Sequence, residues 1–282
     1  MSIPVLRFAP SPNGRLHLGH AYSALLNAEL AAQMKGRFLV RLEDIDTERC
    51  TVELAQYCLA DLAWLGLRWE EPVRVQSRHG EDYARVLAVL QEKGVVYPCF
   101  CTRSEIAKAS TGSDPDGAPL YPRICAHLRV EEVQARMAEG IPHCWRLNME
   151  KALQAAPGVH AYQRFTPRQD SVQEVVAQPA RWGDAVIARK GIMTSYHLSV
   201  VVDDALQGIT HVVRGADLEA ATDLHVLLQV LLGLSTPFYH HHALLTLPTG
   251  DKLSKSKGSE SLADLRARGV TAQQVRRDLG FS

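Results

Sequence analysis

Apolar positions along the first ninety residues alternate between short β-prone runs and longer runs with helical spacing. Residues 3–9 and 38–42 are short and rich in branched or aromatic side chains, which predicts two strands. Periodic apolar positions predict helices over 18–34, 52–65 and 83–90. One face of the first helix carries Ala21, Leu25, Ala28 and Ala32. Strands and helices in this order predict an α/β protein, in which helices cover a parallel sheet.

The pattern breaks after Gly94 and resumes near residue 185. Residues 99–128 are rich in Pro, Gly, Ser and Cys, and an irregular region follows. Beyond it we predict strands at 199–203, 211–214 and 237–245, a helix at 218–232, and short helices at 261–268 and 272–279. The simplest organisation is one sheet domain split by an insertion. Its expected segments are 1–93, 94–184, 185–247 and 248–282.

Composition narrows the class of protein without deciding its function. The 282 residues include 31 basic and 31 acidic side chains, with 46% hydrophobic and 22% charged residues, which is typical of a globular chain. These values exclude a disordered chain, a collagen-like chain and a strongly basic nucleic-acid coat. We find no run of 18 apolar residues and no secretory signal, so we expect a cytoplasmic protein without a membrane partner.

The turn after the first predicted strand contains the first candidate site. Residues 11–20 read SPNGRLHLGH, with His17 and His20 three positions apart at the start of a predicted helix. Free N–H groups and the helix dipole attract phosphate there, and Gly19 allows a ligand to approach the backbone. A pair of solvated or structural histidines is the alternative. The glycine spacing is not a P-loop, because His20 and Ala21 stand where that motif needs Lys and Ser or Thr.

A second candidate lies near the end of the chain, where residues 252–258 read KLSKSKG. A run of this kind is commonly a solvated basic turn. Together, however, the two motifs resemble the two signatures of class I aminoacyl-tRNA synthetases. Their order and their separation across a split domain are specific to that class. The resemblance implies a Rossmann-like parallel sheet, split by a zinc-binding insertion and followed by a short C-terminal helical remnant.

Further segments resemble the glutamyl branch of that class. They are residues 7–12 (RFAPSP), 41–46 (RLEDID), 203–204 (DD) and 209–218 (ITHVVRGADL). Only 26 residues follow Ser256. This length resembles the short glutamyl-queuosine tRNA(Asp) synthetase paralogues, which attach glutamate to queuosine in the anticodon loop. The resemblance implies L-glutamate, ATP with Mg²⁺, and tRNA(Asp) carrying queuosine as partners, and we expect a monomer.

The resemblance also implies roles for individual residues. The glutamate site would be lined by Arg7, Ala9, Ser11, Glu43, Tyr196 and Arg214. Arginine suits carboxylates through its two-pronged donor, so we assign Arg214 to the side-chain carboxylate and Glu43 to the ammonium. ATP would be bound by His17, Gly19, His20, Lys252 and Lys255. Lys255, helped by Lys252, would neutralise charge developing on the α-phosphate. An ordinary surface salt bridge is the alternative for each charged residue.

The six cysteines are too few for a disulfide scaffold, and three of them cluster in the sequence. Cys99, Cys101 and Cys125 would supply three thiolates to a tetrahedral zinc site. From the resemblance, Tyr121 is the fourth ligand, whereas His127 is the more usual chemistry and stays open. With no open coordination position the zinc would be structural. Three free core cysteines are the alternative.

Other cysteines and histidines are poorer candidates. We interpret Cys50, Cys58 and Cys144 as small core or surface residues. The successive side chains of residues 240–242 (HHH) lie on opposite faces of a predicted strand, which does not favour a metal.

Three other functions remain possible at this stage. They are a non-catalytic tRNA-binding relative, an ordinary glutamyl-tRNA synthetase that charges the tRNA 3′ end, and another class I-like nucleotidylyltransferase.

Overall fold

The computed structural model describes residues 3–167, 169, 171–192, 194–245 and 260–282. Within these residues the strands form one seven-stranded sheet and one three-stranded sheet. In the same ranges, no helix combines the length and the hydrophobicity needed to cross a lipid bilayer.

The first part of the chain forms parallel strands joined by helices, as the sequence predicts. Its elements are β1 (Val5–Phe8), α1 (Leu18–Gln33), β2 (Arg37–Leu42), α2 (Val52–Trp64), β3 (Glu70–Val75) and α3 (Gly80–Glu92). β1 pairs in parallel with β2, from Val5 opposite Arg37 to Phe8 opposite Val40. β2 continues in parallel with β3. The predicted strands and helices of this region are therefore confirmed, apart from one- to three-residue shifts at their ends.

The middle of the chain contributes to both sheets. Its elements are β4 (Val96–Cys99), α4 (Arg103–Ala109), α5 (Val130–Ala138), β5 (Cys144–Leu147), α6 (Met149–Ala155), β6 (Ala161–Thr166), β7 (Ser171–Val176) and β8 (Val186–Ala188). β4, β5 and β8 form the small antiparallel sheet. The antiparallel hairpin β6–β7 instead joins the edge of the large sheet. The hairpin before residue 184 thus belongs to the large sheet, and β8 after it belongs to the small one. The predicted domain boundaries stay a prediction.

The segment at 199–203 corrects the prediction of a strand. It lies inside a helix, α7 (Tyr196–Leu206). Residues 198–204 of this helix are all buried, so no polar face marks its 3.6-residue period. A short apolar run of this kind cannot be assigned to a strand or a helix from periodicity alone. The helix carries Asp203 and Asp204 to the base of the cavity described below.

The last part of the large sheet follows the predicted order. β9 (His211–Gly215), α8 (Ala221–Leu232) and β10 (Phe238–His242) complete it. The strand order is β3-β2-β1-β9-β10-β6-β7, so the chain moves outward on opposite sides of β1 and β9. In open α/β sheets, ligands bind at such a switch point, outside the carboxyl ends of the strands.

The central strands of the large sheet are buried on both faces, whereas the edge strands β3 and β7 are partly exposed. Leu6 packs in a core with α1, α2 and the C-terminal helices, whereas the adjacent Val5 packs in a different core with Val212 and Tyr239. Successive side chains of a strand point to opposite faces, so burial on both faces is expected for a mostly parallel sheet. A further core joins α3, α7 and α8 to the small sheet.

Two short helices, α9 (Leu262–Ala267) and α10 (Ala272–Asp278), end the chain. Both confirm predicted helices. Ser261 caps α9 and forms an antiparallel bridge with His17, and the Leu262 N–H donates a 2.8 Å hydrogen bond to the Leu16 carbonyl. The C-terminal helices are thus anchored to the turn before α1.

Candidate active site

A cavity of about 700 Å³ opens at the carboxyl ends of β1 and β9. All six predicted glutamate-binding residues line it, namely Arg7, Ala9, Ser11, Glu43, Tyr196 and Arg214. His17, Gly19 and His20 also line it. Lys252 and Lys255 lie outside the described residues. The cavity has the size expected for a small-molecule site.

His17 and His20 form a reciprocal cap at the N-terminus of α1. Nδ1 of His17 accepts a 3.1 Å hydrogen bond from the Gly19 N–H, and Nδ1 of His20 accepts a 3.2 Å hydrogen bond from the His17 N–H. Neutral rings in this arrangement carry their protons on Nε2. The ring centroids are 3.8 Å apart. Two donor rings therefore lie side by side at a helix N-terminus, where anions are favoured.

Gly19 leaves room for the His17 ring at the start of α1. A Cβ at residue 19 would lie 3.0 Å from Cε1 of His17, closer than ordinary contact allows. The glycine thus lets the imidazole fold over the start of the helix. The predicted role of Gly19, to let a ligand approach the backbone, stays a prediction.

Asp204 orients Arg7, which lies on β1, through two hydrogen bonds. Its Oδ1 lies 3.0 Å from Nε of Arg7 and 2.7 Å from Nη1 of Arg41. Although burial opposes ionisation, the two guanidiniums hold the pKa of Asp204 below its usual value. Sequence reasoning missed Arg41 and Asp204 as site residues. Both lie in segments that carry the family resemblance, which was the available signal.

Asp203, the neighbour of Asp204 on α7, binds residues of the segment 74–76 and of α3. It is fully buried, and its carboxylate accepts hydrogen bonds of 2.7 Å from Nε of Arg74 and from Nε2 of Gln76. The Tyr83 hydroxyl donates to the same carboxylate. These contacts tie α7, and with it Asp204, to the segment 74–76 and to α3.

Glu43 is held at the cavity wall by Arg41. Its Oε1 accepts a 3.0 Å hydrogen bond from Nη2 of Arg41, and the side chain is 11% exposed. Burial raises the pKa of the Glu43 carboxyl, against the attraction of Arg41 and Arg7. A cationic ligand group in the cavity would favour the ionised form.

Arg214 is a buried cation whose hydrogen bonds to the described residues are all with neutral groups. Its Nη1 donates to the Tyr196 hydroxyl at 3.2 Å, and its Nη2 donates to Oγ1 of Thr222 at 2.8 Å. Within the described part of the chain, no carboxylate forms an ion pair with it. A buried charge without a counter-ion is costly, so the site favours an anionic ligand.

Histidines complete the surroundings of Arg214. Nε of Arg214 lies 3.4 Å from Nε2 of His241, and Nη1 lies 3.3 Å from Nδ1 of His225. Nδ1 of His197 lies 3.3 Å from the other side of the His225 ring. Burial, with the nearby charge of Arg214, lowers the pKa of His197 to about 4 and that of His241 to about 2. The rings are therefore neutral near pH 7. Sequence reasoning missed His197, His225 and Thr222.

The three clustered cysteines meet beside the small sheet. Their Sγ atoms lie within 4.8 Å of one another. Thiolates bound to one tetrahedral zinc, about 2.3 Å from the metal, lie roughly 3.8 Å apart. The Tyr121 hydroxyl is 3.6 Å from Sγ of Cys101 and accepts a 2.9 Å hydrogen bond from the Cys125 N–H. Three thiols and one phenol thus form a donor set that fits zinc.

Neighbouring residues bear on the fourth ligand. The group that the described His, Cys, Asp and Glu side chains form here contains Cys99, Cys101 and Cys125, and His127 lies outside it. Burial raises the pKa of Tyr121 well above its usual range, so the phenol is neutral unless a metal binds it. Cys144 is buried opposite Cys99 on β5, as expected for a small core residue.

Comparisons with known proteins show the family to which the chain belongs. The family described as tRNA synthetases class I (E and Q), catalytic domain, matches residues 5–279. The chain belongs to the class I tRNA synthetases. It is 40% identical to the glutamyl-Q tRNA(Asp) synthetase of Rhodobacter capsulatus, over 98% of this chain and 100% of that protein. It is also 40% identical to the protein of that name from Symbiobacterium thermophilum, over 95% of this chain and 83% of that protein.

Solved structures show the same class I synthetase fold. The glutamate–tRNA synthetase of Elizabethkingia anophelis superposes with a TM-score of 0.72 and 27% identity, over 91% of this chain and 53% of that chain. This class I synthetase therefore spans about half the length of that protein. The shared part includes the mostly parallel central sheet, which confirms the coarse fold prediction, while a bound zinc stays a prediction.

Proposed function

We propose that this class I synthetase activates glutamate with ATP and transfers it to queuosine in the anticodon of tRNA(Asp). The observation that carries the proposal is Arg214, a buried cation without a carboxylate partner in the described structure, in the same cavity as His17 and His20. Arg214 would attract the carboxylate of an acidic amino acid, and the two histidines would attract a polyphosphate.

In the glutamate site, Arg214 binds the side-chain carboxylate of the substrate. Tyr196 orients the guanidinium, and the neutral histidines leave its charge uncompensated. Glu43 binds the ammonium, and this pairing lowers the free energy of its ionised form. Arg7 is already bound to Asp204 through Nε and Nη2, and we assign its remaining donors to the α-carboxylate of the substrate.

In the ATP site, His17 and His20 donate to the phosphates at the N-terminus of α1. The carboxylate oxygen of glutamate attacks the α-phosphorus, the bond to the β-phosphate oxygen breaks, and pyrophosphate leaves. Mg²⁺ bound to ATP neutralises phosphate charge when present. By the family resemblance, Lys255 and Lys252 stabilise the charge that develops on the α-phosphate.

In the second step, a hydroxyl of queuosine attacks the carbonyl carbon of glutamyl-adenylate, and AMP leaves. The names and the 40% identity of the two bacterial relatives support this acceptor. The likeness to glutamate–tRNA synthetase supports the activation step that both kinds of enzyme share.

Zinc held by Cys99, Cys101, Tyr121 and Cys125 has a structural role in this proposal. The site ties the end of β4 to the loop that contains Tyr121. Cytoplasmic localisation and a monomeric state stay predictions.

The test measures activation and acceptor separately. Glutamate-dependent ATP–pyrophosphate exchange reports activation. Labelled glutamate is then offered to tRNA(Asp) with queuosine, to tRNA(Asp) with guanosine at that position, and to tRNA(Glu). We expect labelling only of the first. Removing the 3′-terminal adenosine from tRNA(Asp) should leave its labelling unchanged. Labelling of tRNA(Glu) would instead establish an acceptor-end synthetase. So would loss of tRNA(Asp) labelling when its 3′ adenosine is removed.

A further inference from the structure

The segment that leads into α9 is joined to the first signature by backbone contacts. Ser261 bridges His17, and the Leu262 N–H donates to the carbonyl of Leu16. The backbone beside His17, a proposed ATP-binding residue, is therefore held by the C-terminal helices. Any side chain that fixes α9 against the rest of the protein also bears on His17.

Asp61 is placed to provide this fixation. It lies on α2 and is 1% exposed, and neither carboxylate oxygen accepts a hydrogen bond from the described residues. Nη2 of Arg266, on α9, lies 3.5 Å from Oδ1 of Asp61. Isolated buried carboxylates are costly, so nearby positive charge favours the ionised form of this group.

A second cation, from the turn of the first signature, acts on the same carboxyl through its charge. Arg15 stands two residues before His17, and its guanidinium lies 3.7 Å above the ring of Tyr57 on α2. Its Nη1 is buried without a hydrogen-bond partner in the described structure. Burial raises the pKa of Asp61, while the charges of Arg15 and Arg266 oppose this rise. One carboxylate thus attracts a residue of the signature turn and a residue of α9.

We propose that Asp61 is a positioning residue for ATP use, because it draws Arg15 and Arg266 together and so holds the backbone contact between residues 16–17 and 261–262. This inference rests on the proposed binding of ATP by His17. Loss of the Asp61 charge would loosen both arginines and shift the His17 ring. The glutamate site would be spared, because Arg214 and Glu43 are held by other elements.

The test compares Michaelis constants in ATP–pyrophosphate exchange. Asp61→Asn keeps the shape of the side chain and removes its charge. We expect the KM for ATP to rise at least about fivefold and the KM for glutamate to change less than about twofold, since small misplacements of binding groups cost up to about 100-fold. Arg266→Ala should act in the same direction, and Arg266→Lys should restore most of the loss. Arg277→Ala, which removes an exposed cation from α10, is the matched control and should change neither constant.

The outcomes separate this inference from the proposed function. If the unmodified protein shows no glutamate-dependent exchange, the proposed function fails. If exchange is normal and Asp61→Asn lowers the melting temperature but leaves the KM for ATP unchanged, Asp61 is merely structural and the inference is overturned. Should Asp61→Asn fail to fold, Arg266→Ala decides, because the side chain of Arg266 is 41% exposed. An unchanged KM for ATP in that variant also overturns the inference.

Discussion

The Tyr196 hydroxyl accepts a 3.2 Å hydrogen bond from Nη1 of Arg214. Tyr196 is the first residue of α7 and Arg214 lies on β9, so this bond joins two elements across the cavity. It leaves the guanidinium charge without compensation, because a phenol is a neutral acceptor. The orientation of the proposed carboxylate-binding group is therefore set before a substrate arrives.

Arg214→Gln should raise the KM for glutamate by roughly 10- to 100-fold, because a charge-assisted hydrogen bond contributes about 1.5–3 kcal/mol. The KM for ATP should change little. Arg214→Lys should not restore the loss, since an ammonium cannot form two parallel hydrogen bonds with a carboxylate. Pyrophosphate exchange measured against both substrates checks this. An equal rise in both constants would contradict the assignment of Arg214 to glutamate.

Lys255→Ala should slow glutamate activation by about 10²–10³-fold, as expected for loss of one group that stabilises developing charge. Circular dichroism and zinc content should be unchanged. The measurement is the maximal exchange rate at saturating ATP and glutamate. A variant with normal exchange would rule out the predicted role of the second signature.

Metal analysis of protein purified without added metal should find about one zinc per chain. Zinc should be lost from a Cys99→Ser, Cys101→Ser double variant, because two of the four proposed ligands are removed. Tyr121→Phe should weaken zinc retention against a chelator, and His127→Ala should not. The reverse result for this pair of variants would make His127 the fourth ligand.

The free energy of unfolding should fall as the pH is lowered from about 6.5 toward 4, given the ordinary histidine pKa of about 6.5. The pKa of His197 in the folded protein is about 4. In that window the unfolded chain binds a proton that the folded protein does not, so acid favours unfolding. Denaturant unfolding at several pH values checks the slope. His197→Gln should reduce the slope without abolishing it, because other buried histidines also have lowered pKa values, whereas replacement of the exposed His127 by Gln should leave it unchanged.

Much of the architecture follows from local patterns in the sequence. Amphipathic spacing predicts α1 to α3, and short β-prone runs predict β1, β2 and β9, because each of these elements has its own periodic or compositional signal. The helix α7 has no such signal. Its residues 198–204 are all buried, so the packing of α3 and α8 against it decides that it is a helix.

For the site, too, the sequence indicates some residues, and the tertiary structure decides their contacts. The sequence alone was enough to nominate His17, Glu43 and Arg214, because their types and motif positions carry the family resemblance. Only the tertiary structure decided what surrounds them. Asp204 comes from a helix that the sequence pattern misassigns, and its bond to Arg7 spans 197 residues of chain. The neutral shell of Arg214 is likewise built from α7, α8 and β10, since local sequence patterns do not encode contacts between distant elements.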